Sequence, residues 1–327
     1  MAITSMDIDR DTLTSTIVAE FPVPRSRLWD AYVDPRHLER FWGPPSWPAT
    51  FYRHDVRPGG RSEYFMTGPE GERAGGYWEF LTVEHLESFE VLDGFTHDDG
   101  STNQEMPTVR MRFDFQDRGG DCRLIITTTF DSAQELDQLI AMGMQEGTSQ
   151  AMGQIDDVVT DGAAFEAPRT TQLRLVGDTQ ARITRLFDMN IDDLWRAHHD
   201  PGVMRQWLLG PDGWVLTVCE IGQRPGDSYR YEWEVETGEH PGFGFTGTLL
   251  ESDAPYREVT TEQLIGVEGP GTTNEMQLVE VSNGTLLTIV VTYPNTELRQ
   301  EVLETGMVDG MEASYARLEQ LFHEAAA

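Results

Sequence analysis

Hydrophobic and polar residues alternate along several stretches of the chain, which predicts β-strands with one face in a core and the other in solvent. In the first half, residues 64–66 and 109–115 follow this period of two. In the second half, residues 229–234 place Tyr229, Tyr231 and Trp233 on one face and charged residues on the other. Residues 13–21 and 179–187 predict an earlier strand in each half.

Hydrophobic residues at helical spacing over 136–158 and 302–321 predict one long helix near the end of each half. Glycines interrupt both helices at equivalent places, Gly143 and Gly147 in one and Gly306 and Gly310 in the other. A glycine inside a helix costs about 1 kcal/mol relative to alanine, so a steric reason is expected. Close contact with a sheet and space for a ligand both explain it, and both readings stay open.

Two halves of the chain resemble each other in the same order of segments. Residues 28–35 return as 194–201, and the Arg-Pro-Gly of 57–59 returns as 224–226. This internal repeat predicts two domains, 8–165 and 166–327. Residues 161–170 are small and polar and include a proline, so we expect a linker there. Residues 1–6 are expected to form a frayed tail.

The fold class that these patterns predict is α+β, with two tandem domains. Each domain is expected to be a curved antiparallel sheet around one long C-terminal helix. Short helices are expected around Leu28 and Leu194, and the Asp-Pro pairs at 34–35 and 200–201 suit a helix start.

The charge of the chain excludes several function classes. It has 56 acidic and 24 basic residues, a formal net charge of −32, and every basic residue is arginine. Such a charge repels phosphates and anionic lipids, so no nucleic acid is expected as a partner. Without lysine, Schiff-base chemistry and a Walker-type phosphate site are also excluded.

No apolar run approaches the length of a membrane span, and the start of the chain lacks a signal-peptide pattern. We therefore expect a cytoplasmic protein with no membrane insertion. Cys122 and Cys219 stand at unrelated places and are expected to be buried thiols. The eight histidines show no ligand spacing, so neither a metal nor a cofactor is expected.

Aromatic, methionine and glycine residues supply the candidate ligand-binding positions, because a curved sheet opposite a glycine-bearing helix favours an apolar cavity. In the first domain they are Trp42, Trp47, Tyr64, Met66, Tyr77, Glu79, Met111, Phe113, Gly143, Met144 and Gly147. In the second they are Trp214, Tyr229, Tyr231, Trp233, Met276, Gly306 and Gly310. Glu79 is the carboxylate singled out for a raised pKa, with an ordinary position on the sheet surface as the alternative.

Three segments carry a resemblance to a known family. Residues 34–44 (DPRHLERFWGP), 55–61 (DVRPGGR) and 76–80 (GYWEF) resemble bacterial proteins similar to the C-terminal domain of the activator of the heat-shock-protein-90 ATPase. That family belongs to the START-like (SRPBCC) superfamily, so the resemblance implies the helix-grip fold of the birch-pollen allergen. The family often carries a tryptophan after the last helical glycine, where this chain has Thr148 and Met311.

Relatives in this superfamily bind lipids, sterols or polyketides, and some cyclise polyketides. We therefore expect a small hydrophobic ligand, held without catalysis in a cavity that is better formed in one domain than in the other. Larger side chains in the second domain, at Tyr229 and Trp233, predict a smaller or filled cavity there. A cyclase-like enzyme and a protein-interaction or co-chaperone-like module, with an unknown protein partner, stay as alternatives.

Overall fold

A computed structural model describes residues 3–97, 99–165, 169–209, 212–238 and 241–326. The chain divides into two compact units, Met1–Ala167 and Pro168–Ala327. The strands of the first unit are β1 (Ile3–Asp9), β2 (Thr14–Phe21), β3 (Ala49–His54), β4 (Arg61–Thr67), β5 (Arg73–Glu84), β6 (Ser88–Thr96), β7 (Val109–Asp117) and β8 (Cys122–Thr129). Its helices are α1 (Arg25–Val33), α2 (Pro35–Leu38), α3 (Ala133–Ala141), α4 (Met144–Thr160) and α5 (Gly162–Phe165).

The second unit repeats this order of elements. Its strands are β9 (Gln172–Val176), β10 (Gln180–Phe187), β11 (Trp214–Glu220), β12 (Ser228–Val235), β13 (Phe243–Asp253), β14 (Arg257–Leu264), β15 (Thr272–Val281) and β16 (Gly284–Thr292). Its helices are α6 (Ile191–His199), α7 (Pro201–Trp207), α8 (Thr296–Glu304) and α9 (Met307–Ala326).

Each unit has one eight-stranded sheet in which every pairing is antiparallel. The order is β1-β2-β8-β7-β6-β5-β4-β3 in the first and β11-β12-β13-β14-β15-β16-β10-β9 in the second, which is the same topology read from the other edge. In each unit two short helices connect the second strand to the third, and the long last helix packs against the inner face of the sheet. The predicted α+β helix-grip arrangement is confirmed.

Asp34 and Asp200 explain why a helix restarts at each Asp-Pro pair. The Asp34 carboxylate accepts a hydrogen bond from the backbone N–H of Arg36, and Asp200 accepts from Gly202 and Val203. These aspartates satisfy N–H groups that a helix start otherwise leaves unpaired, and proline suits the first helical position.

The single long helix predicted over 136–158 is wrong in one respect. The structure has two helices, α3 and α4, and Gly143 lies between them with a φ of +89°. Gly306 separates α8 from α9 in the same way, with a φ of +81°. Glycine adopts this left-handed conformation without the steric cost that other residues meet, so these two glycines turn the chain.

Two further expectations need correction. Residues 3–6 belong to strand β1, which pairs along β2, and are not a frayed tail; residues 1–2 lie outside the described residues. In the expected linker, residues 162–165 form the short helix α5, and residues 166–168 lie outside the described part of the chain. Both cysteines are buried and free, as predicted.

We predict that the two units fold independently when the chain is divided between residues 167 and 168. Each has its own sheet and core, and a chain of about 160 residues buries roughly 70% of its unfolded surface. Each fragment should unfold cooperatively in urea and give the dispersed NMR spectrum that it gives in the full chain. A fragment that stays unfolded would contradict this boundary.

Candidate functional site

The first unit contains an open cavity of about 220 Å³ between its sheet and helix α4. Met66, Met111 and Ile126 line it from the sheet. Tyr32 lines it from α1, and the loop after α2 supplies Phe41, Trp42, Gly43 and Pro44. Helix α4 contributes Met144, Gly147, Thr148, Ala151, Met152 and Ile155. The side chains are almost all apolar. Four of them are methionines, which lie on three elements, β4, β7 and α4. Because methionine side chains are flexible, the walls can adjust to an irregular ligand.

Gly147 marks where helix α4 leaves room. A Cβ atom added at this residue would meet no atom within 4 Å outside its own helical surroundings. Of the two explanations for the helical glycines, close contact with the sheet therefore does not apply to Gly147. The glycine is part of a cavity wall.

The loop that forms the mouth of the cavity is fastened to the same helix. The side-chain amide of Gln154 donates hydrogen bonds to the carbonyl oxygens of Gly43 (2.8 Å) and Phe41 (3.3 Å). Gly43 has a φ of +89°, and a Cβ there would lie 2.5 Å from the carbonyl oxygen of Trp47. The turn at Gly43 thus places Trp42 and Pro44 beside α4.

Of the candidate residues in the first unit, five line the cavity: Trp42, Met66, Met111, Met144 and Gly147. Gly143 is the turn before α4 and does not line it. Tyr64 and Phe113 lie on the inner face but behind the lining, where Tyr64 contacts Trp42 (ring centroids 6.2 Å apart) and Phe113 contacts Tyr32 (5.4 Å). Trp47 lies close to Gly68 and is outside the lining.

Tyr77 and Glu79 are on the outer face of the sheet, so their expected place in the cavity is wrong. On β5 the inward residues are Gly76, Trp78 and Phe80, and successive strand residues point to opposite faces. The Tyr77 ring lies beneath the guanidinium of Arg61 (4.0 Å). Glu79 is exposed, which agrees with the surface alternative.

The second unit packs aromatic side chains at three of the equivalent positions. By the repeat, Tyr32, Phe41 and Met152 correspond to His198, Trp207 and Tyr315. Trp207 stacks on Tyr315 (5.5 Å between centroids) and makes an edge contact with His198 (5.0 Å). Three aromatic rings thus pack together at positions that line the cavity in the first unit.

The candidate residues of the second unit belong to this packed interior or its edge. Trp233 stacks on Phe243 (5.1 Å), and its indole N–H donates to the carbonyl oxygen of Leu208 (2.8 Å). Trp214 also contacts Phe243 (5.1 Å). Met276 lies in the core, and Tyr231 packs against that core. The Tyr229 ring lies close to Gly247. Gly306 forms the turn before α9, and Gly310 lies within α9.

Asp93 is the inward carboxyl that sequence reasoning missed. It lies on β6 directly opposite Trp78 of β5, on the inner face. Burial raises the pKa of Asp93 to about 7, while the indole N–H of Trp78 and the hydroxyl of Tyr64 oppose that rise. The signal was present in the sequence, because Phe89, Val91 and Asp93 alternate in phase.

Within the described residues, no cluster of three or more His, Cys, Asp or Glu side chains is arranged to hold a metal ion. The helices of the described segments include none that is both long and apolar enough to cross a membrane.

An antiparallel sheet that wraps around a long C-terminal helix, with a cavity between them, defines a helix-grip protein. The chain belongs to the family described as Activator of Hsp90 ATPase homolog 1-like protein, whose model matches residues 22–160 and 188–323. The expected resemblance is confirmed. No curated protein matches the chain.

Solved structures similar to one unit include protein Ms6760 from Mycobacterium smegmatis, at 47% identity and a TM-score of 0.46, covering 49% of this chain and 98% of that one. A protein from Arthrobacter aurescens is 39% identical with a TM-score of 0.47, covering 50% of this chain and 94% of that one. DynU16, a putative protein in the dynemicin biosynthetic locus, covers 94% of this chain and 98% of its own at 14% identity and a TM-score of 0.34.

We predict that Asp93 makes the stability of the first unit fall as pH rises from about 4 to about 7. The folded state binds the Asp93 proton more tightly than the unfolded state, whose carboxyl titrates near 3.8, so the proton stabilises the fold and is lost through this window. The full effect is up to roughly 4 kcal/mol. Asp93→Asn should flatten the dependence and raise stability at pH 8.

The measurement is urea unfolding of the full chain, followed by the methionine methyl NMR signals of each unit. Glu90→Gln, on the outer face of the same strand, is the matched control and should keep the wild-type slope. In the second unit His198 should contribute in the opposite sense, because burial lowers its pKa to about 4 and protonation then costs stability below pH 6.5. Equal slopes for Asp93→Asn and wild type would contradict the prediction.

Proposed function

We propose that the first unit binds a compact hydrophobic ligand in the cavity between its sheet and α4, without catalysis by the cavity walls. The observation that carries the proposal is the apolar lining opposite Gly147, where the helix has no side chain and nothing else fills the space. Apolar cavities with few polar groups are typical small-molecule sites.

The size of the cavity limits the ligand. About 220 Å³ is below the roughly 300–1,000 Å³ of pockets for drug-sized molecules. A molecule of one or two rings, or a short chain, suits this volume. A larger lipid- or polyketide-like ligand requires the methionines in the walls to move.

The second unit supports a division of roles between the copies. Where the cavity of the first unit has Thr148 and Met152, the second has Met311 and Tyr315, both packed into its core. Tyr315 also lies near Arg185, whose guanidinium forms ion pairs with Glu312 (3.1 Å) and Glu319 (3.2 Å) of α9. We infer that this copy is a structural partner and that binding belongs to the first.

We predict that a thermal-shift screen of fatty acids, flavonoids and small aromatic compounds will find ligands of the full chain. A ligand at 100 times its Kd stabilises the unit that binds it by about 2.7 kcal/mol. For a unit of this size that corresponds to roughly 5–10 °C in Tm. Gly147→Leu should abolish the shift, because the leucine side chain enters the cavity.

Gly153→Leu is the matched control. Gly153 is an exposed residue of the same helix, away from the cavity, and an added Cβ meets nothing within 4 Å there either. Both substitutions remove a helical glycine and should raise stability without ligand by up to about 1 kcal/mol. Gly310→Leu should leave the ligand shift intact. Ligand binding that survives Gly147→Leu would refute the proposed site.

A further inference from the structure

The phenol of Tyr32 is a polar group in the wall of the cavity. Tyr32 belongs to α1 and Met152 belongs to α4, and both residues line the cavity. The Tyr32 hydroxyl is directed at Met152, with 3.9 Å between the oxygen and Sδ. This contact therefore joins α1 to α4 at the cavity wall.

Met152 is a weak partner for this hydroxyl. A thioether sulfur is a weak acceptor, whereas a buried hydroxyl is normally paired with an oxygen or nitrogen atom. Within the part of the chain that the structure describes, the sulfur is the one hydrogen-bond acceptor that the Tyr32 hydroxyl has, although the residue is only 1% exposed. Burial also raises the pKa of Tyr32 well above its ordinary value, so the hydroxyl keeps its proton. The group is a neutral donor without a strong acceptor.

Packing holds the Tyr32 ring in this position. The rings of Phe41 and Phe113 contact it, with centroids 5.1 Å and 5.4 Å away. The backbone carbonyl of Tyr32 accepts a hydrogen bond from Nε2 of His54 on β3 (3.0 Å). The phenol is therefore fixed, whereas the Met152 side chain is flexible and can give way to a ligand.

Trp42 and Thr148 are the other polar side chains among the described lining residues, and each has a partner close by. The indole N–H of Trp42 hydrogen-bonds the Tyr64 hydroxyl behind the wall. Thr148 lies within α4, where a threonine hydroxyl can bond to the carbonyl oxygen four residues earlier, here that of Met144. The Tyr32 hydroxyl, at the end of a rigid ring, cannot reach its own backbone. Tyr32 is therefore the lining group that gains most from a polar atom on a ligand.

The second unit uses the equivalent donor within its own helix. By the repeat, Tyr32 corresponds to His198, whose Nδ1 donates to the carbonyl oxygen of Leu194 (2.9 Å). Burial lowers the pKa of His198 to about 4, so the neutral ring has a single N–H, and that N–H is already paired. The copy packed with aromatic rings therefore pairs its donor internally. The copy with the cavity directs its donor at a thioether.

We propose that the Tyr32 hydroxyl donates a hydrogen bond to a carbonyl oxygen of the ligand, and that this ligand is a compact, neutral, apolar carbonyl compound. The inference rests on the proposed function and adds the contact that orients the ligand. A carbonyl oxygen is a stronger acceptor than a thioether, so the phenol exchanges Met152 for a better partner. A ligand hydroxyl would bring a proton that needs an acceptor, and the neighbouring sulfur is a weak one. A carboxylate would place a charge in an apolar cavity of a chain whose formal net charge is −32.

The test compares acetophenone with α-methylstyrene, in which C=CH₂ replaces C=O and the shape is nearly the same. Binding of each probe to the full chain is measured by NMR titration, for wild type and for Tyr32→Phe. The ratio of the two affinities is compared between the proteins, which cancels the difference in how water solvates the probes. Tyr32→Phe should lower the acetophenone to α-methylstyrene ratio about fivefold to tenfold, as the loss of one hydrogen bond predicts. The affinity for α-methylstyrene should stay nearly unchanged.

Tyr77→Phe and Thr148→Val are the matched controls. Tyr77→Phe makes the same chemical change on the outer face of the sheet, and Thr148→Val removes the other hydroxyl of the lining with little change of shape. Both variants should keep the wild-type ratio. Tyr32→Phe keeps the ring and its aromatic contacts, so it should unfold in urea as cooperatively as wild type.

A second measurement reports on the carbonyl group itself and needs no variant. Infrared difference spectra of acetophenone with an isotope-labelled carbonyl give its stretching frequency in the bound state, which falls when the oxygen accepts a hydrogen bond. The frequency should be lower in wild type than in cyclohexane solution. In Tyr32→Phe it should return close to the cyclohexane value.

The outcomes separate this inference from the proposed function. An affinity ratio that is the same in wild type and Tyr32→Phe would overturn the role of Tyr32 and leave the apolar cavity standing. A bound carbonyl frequency equal to that in cyclohexane would do the same. A ratio that falls in Thr148→Val and not in Tyr32→Phe would assign the contact to α4 and also overturn it. Failure of both probes to bind wild type would contradict the cavity function itself, since both are one-ring molecules of the size that suits the cavity.

Discussion

The structure depends on how the space between each sheet and its long last helix is filled. Protein interiors are close-packed, so side chains at the facing positions decide between a core and a cavity. In the second unit Tyr315 and Trp207 meet across this space, and the buried Arg185 holds α9 through two glutamates. In the first unit the repeat places Ala19 where Arg185 stands, so α4 lacks this attachment. One framework therefore supports a copy with large side chains packed in this space and a copy with a cavity.

The two copies also exchange large and small residues across neighbouring strands. Trp78 faces Ser62 in the first unit, and the equivalent pair in the second is Gly247 facing Tyr229. A Cβ at Gly247 would lie 1.8 Å from the carbonyl oxygen of Thr261 and 2.7 Å from the Tyr229 ring, so the neighbouring backbone and the tyrosine leave no space for a larger side chain on β13. In each unit the large aromatic places a donor group beside the carboxyl on the next strand. The donor therefore comes from a different strand in each unit.

The periodicity of the sequence was enough to predict the strands, the tandem arrangement and several cavity residues. Periodicity failed at positions where one residue determines which face a side chain takes or where a helix ends. Residue type alone suggested that Tyr77 faces inward, whereas its neighbour Trp78 does so and adjacent strand residues point to opposite faces. Glu79 drew attention because aromatic residues flank it, whereas Asp93 shares the phase of Val91 and is the inward carboxyl. The left-handed turn at Gly143 has helical residues on both sides, so periodicity continues the helix through it. Which side chains meet across the sheet was likewise beyond the pattern.

The buried carboxyl is informative because this chain can place its many other acidic residues at the solvent-exposed surface. With a formal net charge of −32, acidic residues on the surface serve solubility at little cost, whereas a buried carboxyl destabilises the fold near neutral pH. Both units nevertheless hold one at the same strand position. Asn274 and Tyr229 offset that cost for Glu262 in the second unit, and Trp78 and Tyr64 offset it for Asp93 in the first.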